Sequence, residues 1–280
     1  MRDQQPDRNR ARNLGAVDPR ISSSTRKLSY VPDIPTVIGT PVLWMDPESI
    51  SMTVGTEQPT FNERMGISIV KSTFTNSRSF WQMPNGMNGR NCWRSDGPDD
   101  ADFATNAGGA SGMRTSAAIV LGPNLTAFFV IRMNSFKPGN FDGTAAIYAR
   151  HQTSESDGAN NFFWNYSSTQ KFSFDRVDTG QVDTAASSNP AVVHIVTTQS
   201  TQARNETWLD GTVGTNADPA NTALVDTRIL FLGVGLPNSP LTYYTRCDFG
   251  DIIMYNSILS AADRNGVEKY LGRKYGVTVA

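Results

Sequence analysis

The chain closes with a strand followed by a helix, and this stretch decides the fold. It reads Asp248-Phe-Gly-Asp-Ile-Ile-Met-Tyr255, continues with Leu259-Ser-Ala-Ala-Asp263, and ends on Tyr275-Gly276. The apolar centre of the first segment predicts a buried strand over 249–255. Ser260, with Asp263 three residues later, is a helix-start signal, and Gly276 is placed to end that helix. One short C-terminal helix is therefore expected.

The preceding chain predicts strands. Their ranges are 42–46, 127–133, 144–149, 160–166, 171–175, 191–197 and 228–234, with a hairpin over 206–213 that turns at Asp210-Gly211. The segments between them are rich in Gly, Pro, Asn and Asp, which favours a β-sandwich over alternating strands and helices.

Three motifs resemble a known family. The closing strand and its "LS-x-x-D…YL-x-x-KYG" helix, the opening Leu43-Trp44-Met45-Asp46, and the turns at Asn88-Gly89 and Asp96-Gly97 are similar to motifs of laminin-G-like, concanavalin A-like jelly rolls. Such domains occur in tailed-phage virion proteins and bacterial surface proteins. The Asp210-Gly211 hairpin resembles the same family, whereas residues 50–80 lack its "W-x-D-x-SG" loop. The resemblance covers about 41–276 and implies an all-β, concanavalin A-like jelly-roll β-sandwich.

The first forty residues predict an extended N-terminal arm, separate from a β-sandwich over 41–280. Residues 1–30 contain seven basic and three acidic residues, and prolines through this segment disfavour helix. The arm is expected to dock on another virion protein, and the alternative is that it folds back on its own domain. Its proposed docking residues are Arg8, Arg10, Arg12, Arg20 and Arg26.

Composition limits the choice of partners. The formal net charge is −1, which argues against nucleic-acid binding by the whole molecule. No apolar run reaches the length of a membrane span, and the N-terminus lacks a signal-peptide pattern. This fits a virion protein assembled in the host cytoplasm, present as a homo-oligomer or in many copies. Cys92 and Cys247 are expected to be packed thiols, although one bridge between them stays open.

Catalysis is not expected. Of the six glutamates only Glu155 has an aspartate two residues on, and Asn160 stands where a second glutamate would follow, so the Glu-x-Asp-x-x-Glu spacing of glucanases on this fold is missing. His194 sits among valines and isoleucines and reads as a core residue, while His151 reads as a loop residue. The spacing of His and Cys suits no zinc site, and no phosphate-binding or dinucleotide motif occurs. No cofactor is expected.

A glycan-binding surface is a second hypothesis. Phe162, Trp164 and Tyr166 alternate on one strand, so their rings would share one face, and aromatic rings beside Asn side chains suit sugar recognition. The alternative is that these aromatics form one wall of the core. The proposed contact residues are Phe162, Trp164, Asn165, Tyr166, His151, Tyr243 and Tyr244.

Calcium is the only metal ion for which the sequence offers a candidate set of ligands. Hard oxygen ligands could come from an acidic set made of Asp96, Asp99, Asp100 and Asp102. The set lacks the glycine and glutamate spacing of an EF-hand loop, and turn formation is the alternative explanation.

The leading hypothesis is a structural virion protein of a tailed phage or related particle, anchored by its arm and displaying the jelly roll as a decoration or fibre domain for host attachment. The second is a carbohydrate-binding module for bacterial surface polysaccharide. The third is a polysaccharide-degrading enzyme on the same fold, which lacks the expected carboxylates.

Overall fold

The computed structural model shows a sandwich of two antiparallel β-sheets. It describes residues 34–71, 79–95, 112–133, 149–152, 162–166, 170–175, 182–184, 189, 191–217, 226–233 and 247–280. Within these ranges the strands are β1 (Leu43–Met45), β2 (Glu57–Gln58), β3 (Thr60–Asn62), β4 (Ser68–Lys71), β5 (Phe80–Met87), β6 (Arg90–Ser95), β7 (Met113–Thr115), β8 (Ile119–Leu121), β9 (Leu125–Met133), β10 (Ala149–Gln152), β11 (Phe162–Tyr166), β12 (Phe172–Asp175), β13 (Val182–Asp183), β14 (His194–Ser200), β15 (Asn205–Leu209), β16 (Thr212–Ala217), β17 (Asp226–Leu232) and β18 (Cys247–Tyr255).

The two sheets have comparable sizes. In sheet A the strand order is β16-β15-β14-β9-β18-β6-β5-β2, and β1 also pairs with β18. In sheet B the order is β13-β12-β11-β10-β17-β7-β4-β3, and β8 also pairs with β17. Strand β18 lies centrally in sheet A: β9 pairs along one side, while β6 and then β1 pair along the other. The strand that the closing sequence predicted is therefore the centre of its sheet.

The main core lies between the sheets. Sheet A contributes alternate residues of its central strands, such as Trp93, Ile131 and Phe249, and sheet B contributes Phe174 and Leu230. Phe61 stacks on Trp93 with ring centroids 4.6 Å apart, and Phe80 stacks on Phe249. Because strand side chains alternate between faces, the residues between these core positions belong to the outer face of sheet A.

A second core lies on that outer face, beneath the C-terminal helix (Ala261–Tyr275). Val267, Leu271 and Tyr275 of the helix pack on Phe128 and Ile253 of the sheet. The Tyr275 ring lies against Gly250, where an added Cβ would come within 2.7 Å of the ring carbon Cζ. Strands β9 and β18 are thus buried on both faces over most of their length, which explains their nearly continuous apolar sequence.

The helix begins and ends where the sequence predicted. Ser260 caps its start by accepting a hydrogen bond from the backbone N–H of Asp263 at 3.1 Å. Gly276 ends it in the left-handed conformation, with φ of 69°. The backbone N–H of Val277 then donates to the carbonyl of Gly272 at 2.9 Å. Among the helices in the described ranges, none is both long and apolar enough to cross a membrane.

Two predicted hairpin turns are present. Asn88 and Gly89 have φ of 50° and 80°, and Asp210 and Gly211 have φ of 51° and 82°. Two successive positive φ values are typical of the tight turns that Asn-Gly and Asp-Gly favour. The Asp96-Gly97 turn lies outside the described residues.

Three expectations need correction. A short helix (Ile34–Ile38) lies within the segment that was expected to contain none, with Pro35 in its first turn, where a missing N–H costs nothing. It packs through Ile38 on the second core, and Tyr255 Oη donates to the carbonyl of Pro35 at 3.0 Å.

His151 lies in strand β10, not in a loop. Strands β2 to β4 were not predicted, because each has only two to four residues and shows no clear alternation.

The cysteines do not pair. Both thiols are free and buried. Cys92 belongs to the second core and Cys247 to the main core, so they lie on opposite faces of sheet A. Burial, reinforced by the nearby Asp248 carboxylate, raises the pKa of Cys92 to about 12.

Candidate functional site

A buried ionic network joins the C-terminal helix to the sandwich. Lys274 Nζ donates to Asp251 Oδ2 at 2.6 Å and to Asp46 Oδ1 at 2.7 Å. Arg64 Nε donates to Asp46 Oδ2 at 2.7 Å, so two cations balance the two carboxylates. Both aspartates are at most 1% exposed. Such a network fixes one position of the helix on the sheet.

Two aromatic side chains complete the hydrogen bonding of Asp251. Trp44 Nε1 donates to its Oδ1 at 2.7 Å, and Tyr275 Oη donates to its Oδ2 at 2.7 Å. The opening motif Leu43-Trp44-Met45-Asp46 and the closing Lys274-Tyr275-Gly276 therefore contact each other around Asp251. Two of the motifs behind the family resemblance, the opening and the closing one, therefore belong to one structural network in this chain.

The network sets the charge states of its members. Burial alone would raise the pKa of Asp46, but Lys274 and Arg64 outweigh it and hold that pKa below its usual value. Burial, reinforced by the charge of Asp46, raises the pKa of Asp251 despite Lys274. The two carboxylates outweigh burial at Lys274 and raise its pKa. Because the carboxylates are buried and already bonded to cations, the geometry supports a structural role for this cluster rather than acid–base chemistry.

The surface of sheet A beside the helix carries a row of side chains in direct register. Trp81 of β5 pairs with Arg94 of β6, Arg94 pairs with Asp248 of β18, and Asp248 pairs with Arg132 of β9. Each of these residues is flanked along its strand by a main-core residue, so the four share the outer face. We call them the arginine row.

The arginine row is held together by one carboxylate. Arg94 donates to Asp248 through Nε at 2.7 Å and through Nη2 at 3.1 Å. Arg132 donates to Asp248 Oδ2 through Nε at 3.1 Å and also through Nη2, which additionally donates to the carbonyl of Gly86 at 2.7 Å. Asp248 is fully buried, whereas the side chains of Arg94 and Arg132 are 31% and 22% exposed. One buried carboxylate therefore holds two partly exposed guanidinium groups at the surface of sheet A.

Strand β11 is the predicted aromatic strand, and it pairs antiparallel with β12. Trp164 pairs with Phe174, and Tyr166 pairs with Phe172. Phe172 and Phe174 are buried in the main core. Directly paired positions of an antiparallel sheet belong to the same face. In the backbone register, positions 164 and 166 therefore lie opposite two core positions of β12.

Two other predicted contact residues, His151 and Asn165, fall in different cross-strand rows of sheet B. His151 pairs with Phe162 and with Leu230, a fully buried residue, while Asn165 pairs with Ser173 in the next row. A glycan contact through these residues stays a prediction. Several proposed residues lie outside the described residues: Tyr243, Tyr244, Asp96, Asp99, Asp100, Asp102, Arg8, Arg10, Arg12, Arg20 and Arg26.

His194 is the buried residue that the sequence predicted. It is 8% exposed and packs edge-on against Phe172. Its Nδ1 lies 2.7 Å from Asp210 Oδ2, and its Nε2 lies 3.0 Å from the carbonyl oxygen of Asn189. Glu206 pairs with Arg204 instead. Glu206 and Asp210, four residues apart in the sequence, thus have separate partners. The described residues contain no cluster of three or more potential metal ligands.

The sequence did not identify either the network or the arginine row. The available signal was a charged residue inside an apolar strand, as in Ile131-Arg132-Met133 and Cys247-Asp248-Phe249. Such a charge requires a partner, because an isolated buried charge is strongly unfavourable. The pairing depends on strand order, which composition and periodicity do not provide.

Comparison with solved structures shows where this fold recurs. No protein-family model and no curated protein sequence matches the chain. A mutant of Trypanosoma rangeli sialidase that displays trans-sialidase activity matches 94% of this chain, with a TM-score of 0.53 at 11% identity. The binding domain of botulinum neurotoxin DC in complex with SialylT matches 84%, with a TM-score of 0.53 at 8% identity. Botulinum neurotoxin type C, which depends on interaction with two ganglioside molecules to enter cells, matches 85%, with a TM-score of 0.55 at 7% identity.

These similarities concern the fold. The chain spans 38% of the sialidase chain and 52% and 53% of the two neurotoxin chains. At such identities the shared property is the β-sandwich itself, as the sequence predicted. Function has to be argued from this chain's own residues, since one fold carries many functions.

Proposed function

We propose that residues 41–280 form a carbohydrate-binding β-sandwich. The observation that carries this proposal is the fold: it is shared with a neurotoxin binding domain in complex with SialylT and with a neurotoxin that interacts with two gangliosides. The arginine row adds support from this chain itself, because it places the partly exposed polar side chains of Arg94 and Arg132 on the outer face of sheet A.

The proposed setting is the virion of a tailed phage or related particle. It rests on the sequence resemblance and on the basic segment within residues 1–40, which would dock on other virion proteins. The sandwich would then be displayed, as a homo-oligomer or in many copies, where it meets host polysaccharide. Limited proteolysis tests this setting: residues 1–40 should be cut rapidly in the free protein and protected in the particle. Equal resistance in both states would contradict the docking role.

We propose binding without catalysis. Three carboxylates near the helix, Asp46, Asp248 and Asp251, are buried and bonded to Lys or Arg, which makes them unsuited to flank a glycosidic bond. The test is an assay for new reducing ends after incubation with host polysaccharide. Their release would overturn this part of the proposal.

A glycan array on the full chain tests the binding function. Trp164→Ala distinguishes the two interpretations of the aromatic strand. If position 164 lines the core, the substitution lowers the unfolding free energy by about 3–5 kcal/mol. If it contacts glycan, binding is lost while stability is retained. An array with no reproducible ligand would contradict the binding function itself.

A further inference from the structure

Three Asn-Gly dipeptides occur in the sequence, and each lies in a different part of the fold. They are Asn85-Gly86, Asn88-Gly89 and Asn265-Gly266. Asparagine before glycine is chemically labile, because glycine has no Cβ to hinder attack by its own backbone nitrogen on the asparagine side chain. The rate of this reaction therefore depends on how freely each dipeptide can move in the folded protein.

The reaction needs no reagent except water. The backbone nitrogen of the glycine forms a bond to the asparagine Cγ, the bond from Cγ to Nδ2 breaks, and the glycine amide proton leaves with Nδ2 as ammonia. A succinimide ring results. Water then opens this ring to give aspartate or isoaspartate, so the net change replaces a side-chain amide with a carboxyl group that is ionised at neutral pH.

The surroundings of the three glycines rank the dipeptides. Gly266 lies within the C-terminal helix, whose hydrogen bonds hold its backbone. Gly86 is crowded, because an added Cβ would lie 2.7 Å from Cβ of Met83 and 2.8 Å from Sγ of Cys92. Gly89 is exposed at the tip of the β5–β6 turn, and its added Cβ would meet no described atom within 4 Å. The dipeptide in this turn can therefore leave its folded conformation most easily.

The side-chain amide of Asn88 has a structural partner. Its Nδ2 donates to the backbone carbonyl oxygen of Tyr275 at 2.8 Å, at the C-terminal end of the helix. A carboxylate at this position donates no hydrogen bond and brings a negative charge to the negative end of the helix dipole. Tyr275 Oη also binds Asp251, so this carbonyl belongs to a residue that anchors the helix on sheet A. Deamidation therefore turns an attractive contact into a repulsive one.

We propose that Asn88 is a site of spontaneous deamidation, and that the aspartate formed there releases the end of the C-terminal helix from the β5–β6 hairpin. The bond from Arg90 Nε to the carbonyl of Lys274 is untouched, so the change acts on one of two neighbouring bonds between hairpin and helix. This inference goes beyond the proposed carbohydrate-binding function and does not depend on it. It makes the age of the protein a determinant of its stability.

The site is tested by peptide mapping of the full chain during incubation at mildly alkaline pH. Mass spectrometry follows conversion at Asn85, Asn88 and Asn265, in folded protein and in protein unfolded with urea. In urea the three should convert at similar rates, because only their local sequence matters. In folded protein Asn88 should convert about tenfold faster than the other two, because local opening costs less at an exposed turn than in packed structure. Earlier conversion at Asn85 or Asn265, or conversion of Asn88 in urea alone, would overturn the assignment.

The structural consequence is tested with variants that need no ageing. In urea unfolding at low salt, Asn88→Asp should have a lower midpoint than Asn88→Gly, which lacks the donor but adds no charge, and added salt should narrow the gap. The matched control is Asn85→Asp. Asn85 also precedes glycine, is exposed and has φ of 56°, while its contact with Asn91 runs through its backbone N–H, so the control should keep the wild-type midpoint. Equal midpoints for the two Asn88 variants would contradict the repulsion, and a wild-type midpoint for Asn88→Asp would overturn the release.

Discussion

Asn88 donates a hydrogen bond from Nδ2 to the backbone carbonyl oxygen of Tyr275, at 2.8 Å across 187 residues of sequence. Arg90 Nε donates to the neighbouring carbonyl of Lys274 at 3.0 Å. The last carbonyl groups of a helix have no partner within the helix. The β5–β6 hairpin supplies two such partners, so a turn predicted from its Asn-Gly sequence also caps the C-terminal helix.

Asn88 both caps the C-terminal helix and occupies a left-handed turn position, and two substitutions separate these roles. Asn88→Gly keeps a residue suited to φ of 50° but removes the amide donor, and we expect a loss of about 1 kcal/mol in the unfolding free energy. Asn88→Ala also removes the short polar side chain that lets asparagine tolerate the left-handed region, and it should cost about 1–2 kcal/mol more. Urea unfolding of the three proteins measures both steps. Equal stability of the Gly variant and wild type would show that the cap contributes nothing.

Removal of the Lys274 charge should lower the free energy of unfolding, because the two carboxylates that it binds stay buried. Lys274→Met retains the packing of the side-chain stem but leaves Asp251 and Asp46 with less compensating charge. We expect a destabilisation of about 3–5 kcal/mol, as for other broken buried ion pairs. Lys269→Met on the exposed side of the same helix is the matched control and should change stability by less than about 0.5 kcal/mol. Similar effects of the two substitutions would contradict the network's role.

Gly250 is required by the ring of Tyr275. Gly250→Ala would place its Cβ within 2.7 Å of the ring, so we expect a loss of about 1–3 kcal/mol. Gly122→Ala, whose Cβ would meet its neighbours at 3.8 Å or more, is the control. In the Tyr275→Leu background, Gly250→Ala should cost less than in wild type, because the ring that it contacts is gone. Thermal unfolding of the four-member cycle tests this coupling.

Glu268 should make stability depend on pH. It is fully buried on the C-terminal helix, and Arg264 Nε lies 3.8 Å from its Oε1. Burial, with a smaller contribution from the charge of Asp210, raises its pKa, while Thr197 and Arg264 oppose the shift. A raised folded-state pKa gives stability that is present below the unfolded value of 4.5 and is lost as pH rises through the folded value.

The test is Glu268→Gln, which removes this titration. We expect the variant to gain stability relative to wild type as pH rises from 4.5 to 8, by about 1.4 kcal/mol for each unit by which the pKa is raised. Urea unfolding at both pH values measures the difference. A constant difference between the two proteins across this range would contradict the expectation.

The sequence predicted well where a signal is local. Ser260 and Gly276 bound the helix, Asn88-Gly89 and Asp210-Gly211 form the turns, and the apolar run of 249–255 is a central strand. The short strands β2 to β4 were missed because they have too few residues for a periodic pattern. Trp164 shows the limit of alternation: it indicates that 162, 164 and 166 share a face, but it does not say which face the core covers.

The sequence by itself determined the class of fold, the closing helix with its caps, and the turns, because each depends on the conformational preferences of a few adjacent residues. Only the tertiary structure decided that Trp44, Asp46, Asp251 and Lys274 meet in one network, and that Arg94 and Arg132 share Asp248. These contacts join strands that are distant in sequence. Their formation depends on strand order and register, which are set by the packing of the two sheets and the helix together rather than by any single segment.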